Sequence, residues 1–306
     1  MNPISIQCLP SSARDANRLA SRLGVSMHEI ALHTFPDREL RVTVGAPSRT
    51  TIIYASLDRQ NEKLIALLFA AEALRRGGAR RLILLAPYLC YMRQDAAFQE
   101  GESISQKVIG HLFDRTFDRV ITFDAHLHRT ANMQIIFPNI EADDLSAMPA
   151  IANVLRNEAL NPRTILVGPD TESRPWVSEL AKRLGAEHAV AQKTRRDDRS
   201  VKITFADSTI FAGRPALVFD DIVSSGGTLI ACAGALLAAG AMTVDVVITH
   251  ALFPPEMNLA FADAGIRSIR STYSVPHPTN SIILDDILVA ALNNEMSDAA
   301  QPERQT

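Results

Sequence analysis

"PALVFDDIVSSGGTLIACAGALLAAGAMTVDVVITH" occupies residues 215–250 and decides how the fold is read. Residues 215–221 form an apolar run that ends on two adjacent acids, Asp220 and Asp221. A loop of small residues follows, then an Ala- and Leu-rich segment from Thr228, then a second β-branched run over 242–250. Continuous apolar strands separated by a helix predict a parallel sheet covered on both faces. The loop itself breaks two local preferences, because neighbouring carboxylates repel and Gly-Gly is costly to order. A double breach of that kind marks either a solvated turn or a binding site.

Outward from this stretch the alternation continues in both directions. "TIIYAS" (51–56) reads as a strand, and "NEKLIALLFAAEALRRGG" (61–78) as a helix with Leu64, Leu67, Leu68 and Ala71 at helical spacing. "RRLILLAP" (80–87), a helix from about Ser103 to Arg115, and "RVITFD" (119–124) follow. The second half repeats the plan with "TILVGPD" (164–170), a helix to Leu184, and "HAVAQK" (188–193) ahead of the opening stretch. The fold class expected is therefore α/β, with two tandem domains, each a mostly parallel sheet flanked by helices. Residues 1–145 and 146–295 are the expected domains, joined near "IEADDLSAMPA" (140–150), with 296–306 a polar tail.

The bulk chemistry narrows the partners. The chain has 306 residues, 47% hydrophobic and 21% charged, with a formal net charge of −3. That charge gives no global attraction for nucleic acid or an acidic membrane surface. No apolar run reaches the ~18 residues of a membrane span. "MNPISIQCLP" shows neither a basic region nor a long apolar stretch, so no secretion signal is expected. Three scattered cysteines, Cys8, Cys90 and Cys232, fit a reducing cytoplasm better than a disulfide framework or a Cys/His metal site.

Placed at the carboxyl end of a strand and the start of a helix, the loop acquires a chemistry. Ligands of open α/β sheets bind at such ends, and a helix N-terminus offers unpaired amides and a positive dipole end to a phosphate. Gly226 and Gly227 let the backbone approach the phosphate oxygens, and Ser224, Ser225 and Thr228 add hydroxyl donors. Asp220 and Asp221 cannot serve a phosphate, but they suit vicinal sugar hydroxyls, directly or through a cation. A plain Asx-type turn is the bland alternative. Strand, acids, small loop and helix in this order favour a ribose-phosphate cradle.

The cradle resembles the PRPP loop of type I phosphoribosyltransferase folds. Other stretches, in order along about residues 5–290, resemble the ribose-phosphate pyrophosphokinase family: "FPDRE" (35–39), "APYLCYMRQD" (86–95), "FDAH" (123–126), "GPDTES" (168–173) and "KTRRDDRSVKI" (193–203). The "GES" after the "RQD" loop and the "KTR" form of the basic loop look more like the archaeal-type branch. The resemblance implies two phosphoribosyltransferase-like domains and a diphosphotransferase. In that reaction the β,γ-diphosphoryl group of ATP moves to the 1-hydroxyl of ribose 5-phosphate, giving PRPP and AMP, with Mg²⁺ as cofactor.

By the same resemblance, Lys193 and Arg195 are catalytic and stabilise the transition state. Arg93, Gln94 and His126 bind ATP, with His126 and Asp170 the metal ligands. Phe35, Asp37 and Glu39 match a loop reaching the adenine of a neighbouring subunit, which implies a homo-oligomer with shared active sites. Asp220, Asp221, Ser224, Ser225, Gly226, Gly227 and Thr228 hold ribose 5-phosphate. From composition alone, the basic run at 193–202 reads more readily as a solvated hairpin tip, and Arg93 as a surface residue.

The chain also departs from the family pattern. Arg38 stands where Gly is frequent, at a steric cost if φ is positive there. "AAFQEGES" after "RQD" and "LHRTANMQIIF" after His126 are both irregular, so control by ADP and phosphate does not transfer. Rival readings are a nucleobase phosphoribosyltransferase, a silent regulatory homologue, and an RNA-binding regulator on the same fold. The first needs neither the ATP-like loops nor two full domains. The second is expected to lack the Lys/Arg pair or a cradle acid, all of which stand here. The third wants a basic face that a pI near 6.2 disfavours.

Overall fold

The computed structural model describes residues 3–195 and 201–300. The chain divides into two units, residues 1–145 with 284–306, and residues 146–283.

The first unit runs β1 (Ile4–Cys8), α1 (Ala13–Leu23), β2 (Ser26–Glu29), β3 (Ala31–Thr34), β4 (Leu40–Thr43), β5 (Thr50–Tyr54), α2 (Gln60–Arg76), β6 (Arg81–Leu85), α3 (Ser105–Asp114), β7 (Arg119–Phe123) and β8 (Glu141–Leu145). Six of these strands form a parallel sheet in the order β2-β1-β5-β6-β7-β8, while β3 and β4 pair antiparallel as a separate hairpin. The apolar runs supply the inner strands: Ile52, Ile53, Leu82 to Leu85, Val120 and Ile121 are buried. Strands closed on both faces have no solvated side to mark with polar residues, hence their unbroken apolar sequence.

The second unit runs α4 (Met148–Asn157), β9 (Ile165–Gly168), α5 (Arg174–Leu184), β10 (Glu187–Val190), β11 (Gln192–Arg195), β12 (Val201–Thr204), β13 (Pro215–Val223), α6 (Gly227–Ala238), β14 (Thr243–Ala251), α7 (Met257–Asp263), β15 (Ile266–Thr272) and β16 (Asn280–Ile282). Its parallel sheet has the order β10-β9-β13-β14-β15-β16, with β11 and β12 a separate antiparallel hairpin. The two units thus share one plan. In each, the second strand steps outward, a hairpin follows, and the next strand returns to the far side of the first. That reversal is a topological switch point, where open α/β sheets bind ligands. In the second unit it lies between β9 and β13.

The first crossing between the units falls within "IEADDLSAMPA", between Leu145 and Ser146, where residues 141–145 are the edge strand β8 and α4 begins at Met148. Two expectations need correction. "HAVAQK" is split, because β10 joins the main sheet whereas Lys193 opens the hairpin. The stretch 284–295, expected in the second domain, belongs to the first unit as part of α8 (Asp285–Ala300). The cause is chemical. Leu284, Leu288 and Leu292 form a buried stripe at helical spacing. Arg18 forks onto Asp285 at 2.6 and 2.9 Å. Glu295, only 7% exposed, accepts from Arg81 at 2.7 Å and from Arg119 at 3.0 Å. Of the expected tail, residues 301–306 lie outside the described residues.

Candidate active site

The carboxyl ends of β9 and β13 flank the switch point of the second unit, and they carry the predicted acids. Asp221 is buried and Asp220 half-buried. The backbone N–H of Asp221 donates to the Asp220 carboxylate at 3.2 Å, and that of Ile222 to the Asp221 carboxylate at 2.8 Å. Burial first, then the charges of Asp221 and Asp170, hold the Asp220 carboxyl well above the usual carboxylate range. Three carboxylates gathered this way are a poor resting arrangement and a good cation trap, since a hard divalent ion prefers oxygen donors.

Beyond the acids the chain turns through Ser224 and Ser225 into Gly226, with α6 beginning at Gly227. Gly226 has φ +74°, a left-handed conformation that side chains resist. A Cβ there would also fall 2.5 Å from Phe261, so two independent constraints require glycine. No side chain caps α6. Its first-turn amides face the loop mouth with the positive end of the helix dipole, the arrangement that holds a phosphate. The structure therefore gathers Asp220, Asp221, Ser224, Ser225, Gly226, Gly227 and Thr228 into one strand–loop–helix corner.

Asp170 follows β9. Its carboxylate accepts from the backbone N–H groups of Glu172 and Ser173 at 3.1 and 3.3 Å, which leaves its second oxygen toward Lys193 at 3.7 Å. Gly168 makes this turn possible, because a Cβ there would overlap the Ser173 hydroxyl at 2.2 Å. Lys193 pairs with Ile203 on the β11–β12 hairpin. Arg195 closes β11 as a backbone position. Of the other basic residues in this run, Arg196 and Arg199 lie outside the described residues.

In the first unit, Phe35, Asp37 and Glu39 sit on the turn of the β3–β4 hairpin, the counterpart of the one bearing Lys193. Asp37 accepts from the backbone N–H of Glu39 at 3.1 Å, and Phe35 is 38% exposed. Arg38 has φ +73°, so it does carry the steric cost that glycine avoids, of order 1 kcal/mol. Arg93 is exposed and Gln94 half-buried. The loop after them is pinned by Glu102, which accepts from the backbone N–H groups of Phe98 and Gln99 at 2.8 and 3.2 Å. His126 follows β7, its ring edge-on to His128 with centroids 3.8 Å apart.

The two irregular segments of the sequence meet here. Arg129 forks onto Asp95 (Nε to Oδ2 3.0 Å) and lies over Phe98, and Thr130 donates to Gln106 at 3.2 Å. The hydrogen bonds from Arg129 hold the Asp95 carboxyl below its usual range. One departure from the family pattern thus answers the other. A separation of 34 residues hides that pairing from local reading.

Comparison with known proteins agrees with this geometry. Residues 4–116 match the model of the N-terminal domain of ribose phosphate pyrophosphokinase, and residues 144–267 that of the phosphoribosyl transferase domain. A crystal structure of phosphoribosylpyrophosphate synthetase from Mycobacterium smegmatis superposes with a TM-score of 0.84 at 21% identity, covering 96% of this chain and 99% of that one. That likeness shows the fold. Ribose-phosphate pyrophosphokinase from Pyrococcus abyssi is 30% identical over 280 residues, 91% of this chain and 95% of its own. Ribose-phosphate pyrophosphokinase 2 from Archaeoglobus fulgidus is 32% identical over 266 residues, 87% of this chain and 92% of its own. With identity sustained over nearly the whole of both chains, this chain belongs to the ribose-phosphate pyrophosphokinase family and is an enzyme of that diphosphotransferase class.

Proposed function

We propose that the corner between Asp220 and Thr228 seats ribose 5-phosphate and that the chain transfers the β,γ-diphosphoryl group of ATP to its 1-hydroxyl, releasing AMP. The observation that carries this assignment is the conjunction of uncapped α6 amides with two carboxylates one loop upstream. The amides and the Ser224, Ser225 and Thr228 hydroxyls take the 5-phosphate. Asp220 and Asp221 accept from the ring hydroxyls, which orients the 1-hydroxyl.

The 1-hydroxyl oxygen forms a bond to the β-phosphorus, the bond from that phosphorus to the α,β-bridging oxygen breaks, AMP leaves with that oxygen, and the hydroxyl proton passes to solvent. Little covalent help is needed, so rate comes from positioning and charge neutralisation. Lys193 serves the second end. Within reach of Asp170 at 3.7 Å, it is a cation held beside the site and free to turn to phosphoryl oxygens. Arg195 is assigned the same role two residues on.

Mg²⁺ suits the donor set of Asp170 and the two cradle acids, since all are carboxylate oxygens and their crowding is what a divalent ion relieves. When bound, it would neutralise the triphosphate and stabilise the leaving oxygen. By the family resemblance, His126 is proposed as a metal ligand, and Arg93 and Gln94 as the residues that hold the nucleotide.

Phe35, Asp37 and Glu39 are proposed to serve the nucleotide of a neighbouring copy in a homo-oligomer. The exposed Leu32, Ile65 and Phe69 support association, lining a cleft of about 710 Å³ together with Arg38 and Glu39. Among the described residues, no helix is long and apolar enough to cross a membrane. The free, buried Cys8, Cys90 and Cys232 fit action in the cytoplasm.

The test is direct. Purified protein supplied with ATP, Mg²⁺ and ribose 5-phosphate should produce AMP in step with PRPP. ADP in place of AMP would mean an ordinary kinase and would end this reading.

A further inference from the structure

Gly226 is held from beneath. A Cβ built on it would lie 2.5 Å from Phe261 Cε1, 2.6 Å from Cζ and 3.3 Å from Met257 Cε, so the ring edge of Phe261 abuts the loop backbone. Phe261 and Met257 are four residues apart on α7 and so share a face.

The Phe261 ring is itself braced. It meets Phe253 edge-on at 5.0 Å between centroids, and Phe253 meets His277 at 4.4 Å. Phe261 and Phe253 are 1% and 2% exposed, so neither ring has room to turn away. His277 is fixed at both nitrogens: Nε2–H donates to the Phe253 carbonyl at 3.1 Å, and Nδ1 accepts from the Thr279 hydroxyl at 2.7 Å. Burial keeps its pKa below the usual imidazole value, which favours the neutral form these two bonds need. The turn carrying His277 is locked in its own right, with Asn280 Oδ1 accepting from the His277 backbone N–H at 2.8 Å.

We propose that Phe261 is a positioning residue for the sugar phosphate, the last member of a braced row His277–Phe253–Phe261 that holds Gly226 in its left-handed conformation and so keeps the α6 amides convergent. The Gly226 carbonyl accepts from the Ile230 N–H at 3.0 Å, but that bond does not by itself oblige the residue to take a left-handed φ. Packing beneath supplies that obligation, and amides displaced by about 1 Å lose much of their hold on a phosphate. The inference rests on the reading that ribose 5-phosphate sits on this loop.

The experiment compares Phe261→Leu with Thr228→Ala, a direct test of the seat, using ribose 5-phosphate and ATP as the varied substrates. Phe261→Leu should raise KM and Kd for ribose 5-phosphate about tenfold while KM for ATP moves less than about twofold. Phe253→Leu, one ring further away, should show the same split at smaller size, and it stands in if Phe261→Leu does not fold. A double-mutant cycle adds a contact-specific readout: Gly226→Ala should do less harm in the Phe261→Ala background, where its new methyl no longer meets the ring. If Thr228→Ala weakens ribose 5-phosphate and the Phe253 and Phe261 variants do not, the positioning role falls and the seat stands. If Thr228→Ala also has no effect, both fall. Equal rises in the two KM values, or an additive cycle, would reduce Phe261 to a general core residue and overturn the proposal.

Discussion

Around the end of β13, Asp220 meets Asp221 and Asp170 with part of its surface withdrawn from water, and its carboxyl is held above the ordinary range. A carboxyl whose folded pKa is raised lends the fold stability at acid pH and withdraws it as pH rises and the group ionises. Asp220→Asn removes that charge yet keeps an oxygen for the Asp221 backbone N–H. The ligand-free variant is therefore expected to melt above the wild type at pH 7–8, with the gap closing toward pH 4, while turnover falls at least ~100-fold. Melting curves across that range check it, and a variant that melts lower than wild type at pH 8 would contradict it. Single positions also show what local reading reaches. Gly226 and the twin acids announce themselves because each breaks a local rule. Phe253, Phe261 and His277 break none, and their alignment exists only after folding.

Among elements, the strands that pattern reveals are those buried on both faces: β5, β6, β7, β9, β13 and β14 are runs of apolar residues and nothing else fits them. Strands β2, β3 and β4 are mostly exposed and carry no such signature. Helix α8 was not read from the sequence, and neither was its allegiance, because its partners Arg81 and Arg119 lie 214 and 176 residues away. Burial alone would push the Glu295 carboxyl up; the hydrogen bonds and charges of Arg81, then Arg119, outweigh it and hold it below the usual range. A carboxyl of depressed pKa supplies stability above its ordinary pKa and loses it as pH falls through the folded value. Glu295→Ala takes the shared carboxylate from Arg81 and Arg119 and leaves the buried Arg119 with Asp143 as its close acidic partner, for a predicted loss of about 2–4 kcal/mol at pH 7 by urea unfolding. The loss should shrink below pH 4. A cost under about 0.5 kcal/mol at pH 7 would show that the leucine stripe alone docks the helix.

At the scale of the whole molecule, the two units repeat one plan down to the hairpin inserted between second and third strands. One hairpin bears Phe35, Asp37 and Glu39, and the other Lys193 and Arg195. Equivalent elements have thus been given different proposed tasks: one reaches toward a neighbouring copy, the other toward its own substrate. The resemblance between halves was visible in β5–α2–β6 against β13–α6–β14, but the hairpins share no sequence pattern, and only topology pairs them. If the first hairpin completes a site on another copy, activity per chain should fall as the protein is diluted through its dissociation range. Specific activity constant down to concentrations where sedimentation shows monomers alone would refute the shared site.

The return of the chain to its first unit at Leu284 sets an order of manufacture. Residues 146–283 are contiguous and are complete as soon as they emerge from the ribosome, whereas the unit begun earlier waits for its last helix. Until then, Arg81 and Arg119 have no Glu295 to answer them and the groove for Leu288 and Leu292 stands open. A chain cut short near its end therefore carries an unfinished first half, however well its second half has set. That tie makes α8 a condition of the first unit's completion.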